Sequence, residues 1–195
     1  MRLSFVRIAF LFCTALIAAA SAAEEFRAGV FDPPRAAPEF RLQGSNGAPV
    51  ALSSYKGKVV LVAFGFSSCP TICPVTLAKL SQVWKDLGAQ SENVQTLFIS
   101  VDPARDTPAR LREFVTPFHL SFIGLTGTEQ ELATVRESYG IIAEKVASKN
   151  KQLGYEVHHS SSLHVIDREG RLRVLIPFGT TEADIVHDLK VLLAE

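Results

Sequence analysis

An α/β sandwich, with a central mixed sheet flanked by helices and an N-terminal β-hairpin, is the fold that this sequence predicts. Three observations carry the expectation. Two near-continuous apolar runs rich in β-branched residues, "KVVLVAFGF" and "VQTLFISVD", have the pattern of strands buried on both faces of a sheet. Segments with helical spacing of apolar residues follow each of them. A hairpin and an amphipathic helix then close the chain.

Taken in order, "FRLQGSNGAPVALSSYKGK" alternates on either side of Gly44 to Gly47 and reads as the opening hairpin. After the first buried strand, Leu77, Leu80, Val83, Trp84 and Leu87 recur at helical spacing, and Gly88 ends that helix. "TPARLREFVTPF" follows the second buried strand, with Thr107 as N-cap and Pro108 in the first turn. "LSFIGLTG" is a short strand, and "TEQELATVRESYG" is a helix that opens on a Thr-x-x-Glu capping box. "SLHVIDREGRLRVLIPFG" turns between Arg168 and Gly170, and "TEADIVHDLKVLLAE" is the last helix. Strand, helix, strand, helix, hairpin, helix is the order of a thioredoxin-like sandwich.

The chain has 195 residues, 47% of them apolar, which suits one domain with a sizeable core. Twenty basic and twenty acidic residues give a formal charge of zero, so no electrostatic footprint argues for nucleic acid. Residues 1–23 have two arginines, an apolar run and small residues ahead of Glu24, the order of a secretory signal peptide. That run of about sixteen residues is short for a membrane span, which needs roughly twenty; a retained N-terminal anchor is the alternative. Residues 24–38 are proline-rich and aperiodic and read as a tether, which leaves 39–195 as the globular domain. The expected location is periplasmic or otherwise extracytoplasmic, at the inner membrane if the anchor is kept.

Removal of the leader takes Cys13 with it and leaves Cys69 and Cys73. In an oxidising compartment an isolated pair defaults to a disulfide, yet so small a loop constrains the unfolded chain little. The pair follows the carboxyl end of a buried strand, where open α/β sheets place their ligand crevices. If the helix has begun by Pro70, both sulfurs share one helix face, and the free N–H groups of its first turn favour thiolate. Thiolate pairs bind soft ions and also exchange disulfides, so metal binding, redox work and a structural disulfide all stay open. The spacing is C-x-x-x-C rather than the C-x-x-C of thioredoxin-type redox centres. Val62 and Phe66 stand where a peroxiredoxin would carry its threonine and proline. A third metal ligand is sought among the histidines of "YEVHHSSSLHVIDREG", with His159 just before a strand and His164 within it; a loop histidine is commonly only a solvated polar group.

"GFSSCPTICPVTL", "FISVDPARDTP" and "YEVHHSSSLHVIDREG" resemble, in this order, three blocks of the Sco/SenC family of copper-binding assembly proteins for cytochrome c oxidase. The resemblance covers about residues 37 to 195. It implies that Cys69, Cys73 and His159 bind one copper ion, as Cu(I) or Cu(II), and that Asp102 sits nearby at a strand end. The interval from His159 to Gly170 matches the family's. One departure is His158, which stands where the family has an acidic residue; His158 and Asp102 are therefore accessory candidates. Two soft thiolates and an imidazole suit Cu(I), whereas structural zinc would want a fourth protein ligand. Ser160 to Ser162 occupy the stretch in which thioredoxin-like oxidoreductases carry a proline.

The resemblance implies an exported copper chaperone that helps to load the binuclear copper centre of the oxidase. Its expected partner is the oxidase copper-binding subunit or another copper chaperone. Two alternatives stand beside it: a thiol–disulfide reductant of the oxidase's copper-ligand cysteines, working through Cys69 and Cys73, and a copper-sensing module.

Overall fold

The structure, a computed structural model, describes residues 25–148 and 154–195. The expected signal peptide, residues 1–23, lies outside the described residues. In chain order the strands are β1 (Gly29–Ala36), β2 (Arg41–Gly44), β3 (Pro49–Ala51), β4 (Val59–Gly65), β5 (Val94–Ser100), β6 (Ile123–Thr126), β7 (Ala143–Ala147), β8 (Tyr155–His159), β9 (Leu163–Ile166) and β10 (Arg171–Ile176). The helices are α1 (Ile72–Leu87), α2 (Pro108–Val115), α3 (Glu129–Ser138) and α4 (Glu182–Ala194).

Eight strands form one mixed sheet in the order β1-β10-β9-β4-β5-β6-β2-β3. The centre is parallel, β4 to β5 to β6, and antiparallel strands extend it on both sides. Every residue of β4 and β5 is buried, which is what their unbroken apolar runs require of strands covered on both faces. Alternation divides the side chains between two layers. Phe64 meets Tyr139 at the end of α3, while the backbone of its neighbour Gly65 lies against Cys73 of α1. The helix starts follow the sequence: Thr107, Thr128 and Thr181 each accept a backbone N–H of the first turn, and Thr128 with Glu131 closes a full capping box. This is the thioredoxin-like sandwich that the order of elements predicts, with its N-terminal hairpin β2–β3 in place.

Two segments differ from the expectation. Residues 29–36 are not a free tether: β1 pairs antiparallel with β10 and covers that edge of the sheet. Only Phe31 is even half-buried in this strand, so no alternation marks it in the sequence. Pro33 and Pro34 fall where the register shifts between Val30 and Arg35, away from the ladder positions that need an N–H. The buried carboxylate of Asp188 on α4 fastens the segment just before it, accepting the backbone N–H groups of Arg27 at 2.8 Å and Ala28 at 3.0 Å. The second difference is β7 and β8, which pair with each other in a separate two-stranded sheet. Among the described residues no helix is long and apolar enough to cross a membrane.

An aromatic cluster joins β1 to the core. His164 on β9 stacks against Phe31 at 6.4 Å and meets Phe64 and Tyr139 edge-on at 6.1 and 5.4 Å. Its ring is 4% exposed, and its Nδ1 has no hydrogen-bond partner there. Burial, together with the nearby Arg35 guanidinium, pushes its pKa down to about 4. The unfolded chain therefore binds a proton that the folded chain refuses between about pH 6.5 and pH 4. This contribution to stability is complete above that window and is lost as pH falls through it, by about 3 kcal/mol at roughly 1.4 kcal/mol per unit. His164→Phe keeps the ring packing and should remove that part of the acid sensitivity. Urea unfolding at about pH 7 and about pH 4.5 tests this: the unmodified protein should lose some 2–3 kcal/mol more than the variant.

Candidate metal centre

The site is built where β4 and β5 end together. Their parallel register runs to Gly65 opposite Ser100, and Val101 N–H donates to Gly65 O at 2.8 Å, holding the two outgoing loops side by side. Beyond Gly65 the chain turns, with Cys69 N–H donating to Phe66 O at 3.1 Å. Asp106, itself buried, clamps this turn: it accepts from the Ser67 hydroxyl and the Ser100 hydroxyl at 2.6 Å each and from Ser67 N–H at 3.2 Å. Arg110 donates to the hydroxyls of Ser67 and Ser68 at 2.7 and 3.0 Å.

Helix α1 begins at Ile72, with Thr71 at the N-cap position, later than the Pro70 start considered from the sequence. Cys69 thus precedes the helix and is taken up by the turn to Phe66. The two sulfurs still converge. Cys73 lies in the first turn, and its N–H donates to Cys69 Sγ at 3.4 Å, so the Cys69 sulfur receives a free amide of the helix end. The two cysteines differ in exposure: Cys73 is 3% exposed, whereas Cys69 is half-buried on the wall of a cavity of about 630 Å³. Phe66, Arg105, Tyr155, His158 and His159 also line that cavity. The hydrogen bond from Cys73, then the amides of Cys73 and Thr71, hold the Cys69 thiol far below its ordinary pKa, while the same pairing and burial push Cys73 up.

His159 is the last residue of β8, not the loop residue that the sequence suggests. Its Nδ1 lies 2.7 Å from Ser160 O, and since a carbonyl only accepts, Nδ1 carries the proton. Nε2 is left with its lone pair and faces Cys73 Sγ at 3.7 Å. Phe66 supports the ring edge-on at 5.8 Å. The donor atoms of Cys69, Cys73 and His159 all lie within 4.8 Å of one another, the one such group among the described residues. Two cysteine sulfurs and an imidazole nitrogen whose other ring N–H is bound to a carbonyl make a set suited to a soft ion.

The accessory candidates stand outside this group. His158 points the other way along the strand pleat, opposite Glu144 of β7, although it borders the same cavity. Asp102 is fully buried at the end of β5, with its carboxylate engaged by the Tyr155 hydroxyl, Arg105 and Lys145. Asp106, Ser67, Arg105 and Tyr155 were not singled out from the sequence. Asp106 could have been, since a second acid four residues after Asp102 in "DPARD" is legible; Tyr155 carries no such signal.

Two outcomes follow from this geometry. Because Cys69 is already a thiolate, its alkylation by iodoacetamide should stay nearly constant from about pH 8 to about pH 5, where an ordinary thiol slows about tenfold per unit. Cys73 should stay unmodified throughout, as peptide mapping would report. A Cβ at Gly65 would lie 2.7 Å from Cys73 Sγ and 2.7 Å from the Phe98 ring, so Gly65→Ala should displace the sulfur and cost about 1–3 kcal/mol, measured by urea unfolding.

The sequence model of the SCO1/SenC family matches residues 31–194. An SCO2-like protein of Rickettsia felis is 34% identical over 152 residues, 78% of this chain and 74% of the relative. Three further rickettsial relatives are spanned over 64 to 65% of their own length. Copper-bound ScoI of Bradyrhizobium japonicum superposes with a TM-score of 0.73 at 35% identity, covering 80% of this chain and 99% of that one. BsSco, a member of the Sco family of cytochrome c oxidase assembly proteins in which a disulfide switch was identified, superposes with a TM-score of 0.65 at 28% identity, covering 83% of this chain and 95% of that one. The chain belongs to the SCO1/SenC family.

Proposed function

We propose that this protein is an extracytoplasmic copper carrier that takes one copper ion between Cys69, Cys73 and His159 and passes it to the copper centre of cytochrome c oxidase during assembly. The observation that carries the reading is the donor group itself: two sulfurs and an imidazole Nε2, mutually within 4.8 Å. Membership of the SCO1/SenC family, the bound copper of the Bradyrhizobium relative and the assembly role of BsSco support it.

In this reading Cys69 presents a ready thiolate, Cys73 gives up its proton as the ion enters, and His159 offers Nε2 while its Nδ1–H stays on Ser160 O. Copper supplies a soft acceptor that binds all three. Affinity then falls as pH falls, because the ion must displace the Cys73 proton. The half-buried Cys69 and the adjoining cavity leave one side of the site open, the side from which an acceptor could exchange ligands.

The paired sulfurs also favour a second activity. The Cys69 thiolate could attack a partner disulfide and release one partner thiolate; Cys73 would then displace the second, leaving a Cys69–Cys73 disulfide and a reduced partner. The location is tied to residues 1–23, and intact-mass measurement of the native protein would read whether they are removed.

Anaerobic Cu(I) competition titration tests the main reading. One tight equivalent is expected, with His159→Ala weakening it more than the roughly 10–100-fold typical of losing an outer-shell partner. Cys69→Ser should bind still more weakly, and His158→Ala should match the unmodified protein. Tight binding that survives Cys69→Ser would overturn the carrier reading; tight binding that is indifferent to His159 would leave the thiol–disulfide activity as the better one.

A further inference from the structure

The three donors are mounted on different parts of the fold. Cys69 and Cys73 sit on the β4–α1 connection, rooted in the main sheet, whereas His159 rides on the β7–β8 hairpin, which shares no ladder with that sheet. What sets the imidazole against Cys73 must therefore come largely from side chains, and one loop supplies them. After Val101 the chain makes a tight turn in which Arg105 N–H and Asp106 N–H both donate to Asp102 O, at 3.1 and 3.0 Å. The turn carries two buried carboxylates. Asp106 holds Ser67, two residues before Cys69. Asp102 reaches the hairpin: it accepts the Tyr155 O–H at 2.6 Å, four residues before His159, and lies 3.8 Å from Lys145 of β7.

Arg105 completes the contact. It pairs with Asp102, donates to Tyr155 O at 3.3 Å, and lays its guanidinium over the Tyr155 ring at 4.0 Å and the Phe66 ring at 5.5 Å. Phe66 in turn meets the His159 ring. The hairpin is otherwise joined to the body through its own chain ends, the buried Val157, Ala143 packed on the core, and an ion pair from Lys145 to Glu129 of α3 at 3.7 Å. A fully buried carboxylate is costly unless it is paired and hydrogen-bonded, so the Asp102 partners are strongly held.

We propose that Asp102 is a positioning residue of the metal centre: through Tyr155 and Arg105 it sets the hairpin that carries His159, while Asp106 independently sets the cysteine turn. This rests on the reading of Cys69, Cys73 and His159 as copper ligands. Asp102 acts through the histidine and does not itself touch the ion.

Tyr155→Phe tests it, because the variant keeps the ring on Arg105 and removes only the bond to Asp102; Asp102→Asn is the harsher second variant. Tyr155→Phe should lower Cu(I) affinity about tenfold, the scale of an outer-shell loss. In a His159→Ala background the same change should alter affinity by less than about twofold, since there is no imidazole left to misplace. An equal loss in both backgrounds, or none in the unmodified one, overturns the proposal. Amide hydrogen exchange of the metal-free protein gives a copper-independent reading. The β8 amides should exchange about tenfold faster in Tyr155→Phe with the Cys69–Cys73 amides unchanged, and Ser67→Ala should do the reverse. Exchange that is unaltered in β8, or raised equally in both segments, counts against it. If the unmodified protein binds copper without regard to His159, the ligand reading fails, and the exchange pattern still decides whether Asp102 holds the hairpin.

Discussion

The structure depends first on β4 and β5 ending together. Two parallel strands, buried on both faces, can be central only if both leave the sheet at the same edge through loops with other work to do. The bond from Val101 to Gly65 carries the pairing one residue past the strand ends, into the loops themselves. From there one loop bears the cysteines and the other the carboxylates that brace them. Gly65 is required at that junction because the Cys73 sulfur and the Phe98 ring occupy the space of any side chain. The candidate metal centre is thus a continuation of the core.

Burying so many acids would be ruinous without partners, and each one fixes a segment that apolar packing leaves loose. Asp188 takes two backbone amides of the N-terminal segment and Asp106 a serine amide and two hydroxyls. Asp167 binds Arg171 and the amides of the β9–β10 turn. Asp188 and Asp106 replace their lost hydration with donors from a distant part of the chain, so the bond specifies where that part goes, whereas Asp167 fixes its own turn. Hydrophobic burial gives these elements cohesion but little direction, and the carboxylates supply the direction.

Sequence reading found what periodicity and residue type encode. The runs "KVVLVAFGF" and "VQTLFISVD" announce the central strands because both faces are covered, and Thr107 and Thr128 announce helix starts because capping is local. The cysteine pair and the histidine block could be named from their spacing and resemblance, and the structure brings all three side chains together. The misses have a common cause. Strand β1 pairs through its backbone while its side chains stay in solvent, and β7–β8 is a small sheet with one fully buried residue, Val157. Neither writes an alternation of buried and exposed residues that a sequence could display. Tyr155 was invisible for another reason: its importance lies in a contact 53 residues away.

The mounting of the donors bears on how such a site could both hold and release an ion. If all three ligands sprang from the main sheet, opening the site would mean straining the core, whose strands are the least able to move. With the sulfurs rooted in the sheet and the imidazole on a separate hairpin, one ligand can leave without disturbing the other two. Cys73 is buried and Cys69 borders the cavity, so the order of exposure runs from the sealed sulfur outward. An acceptor entering through the cavity would meet His159 and Cys69 before Cys73, and could exchange ligands one at a time while the last thiolate keeps hold. In the proposed carrier, the path of release would be set by which donor is least firmly anchored.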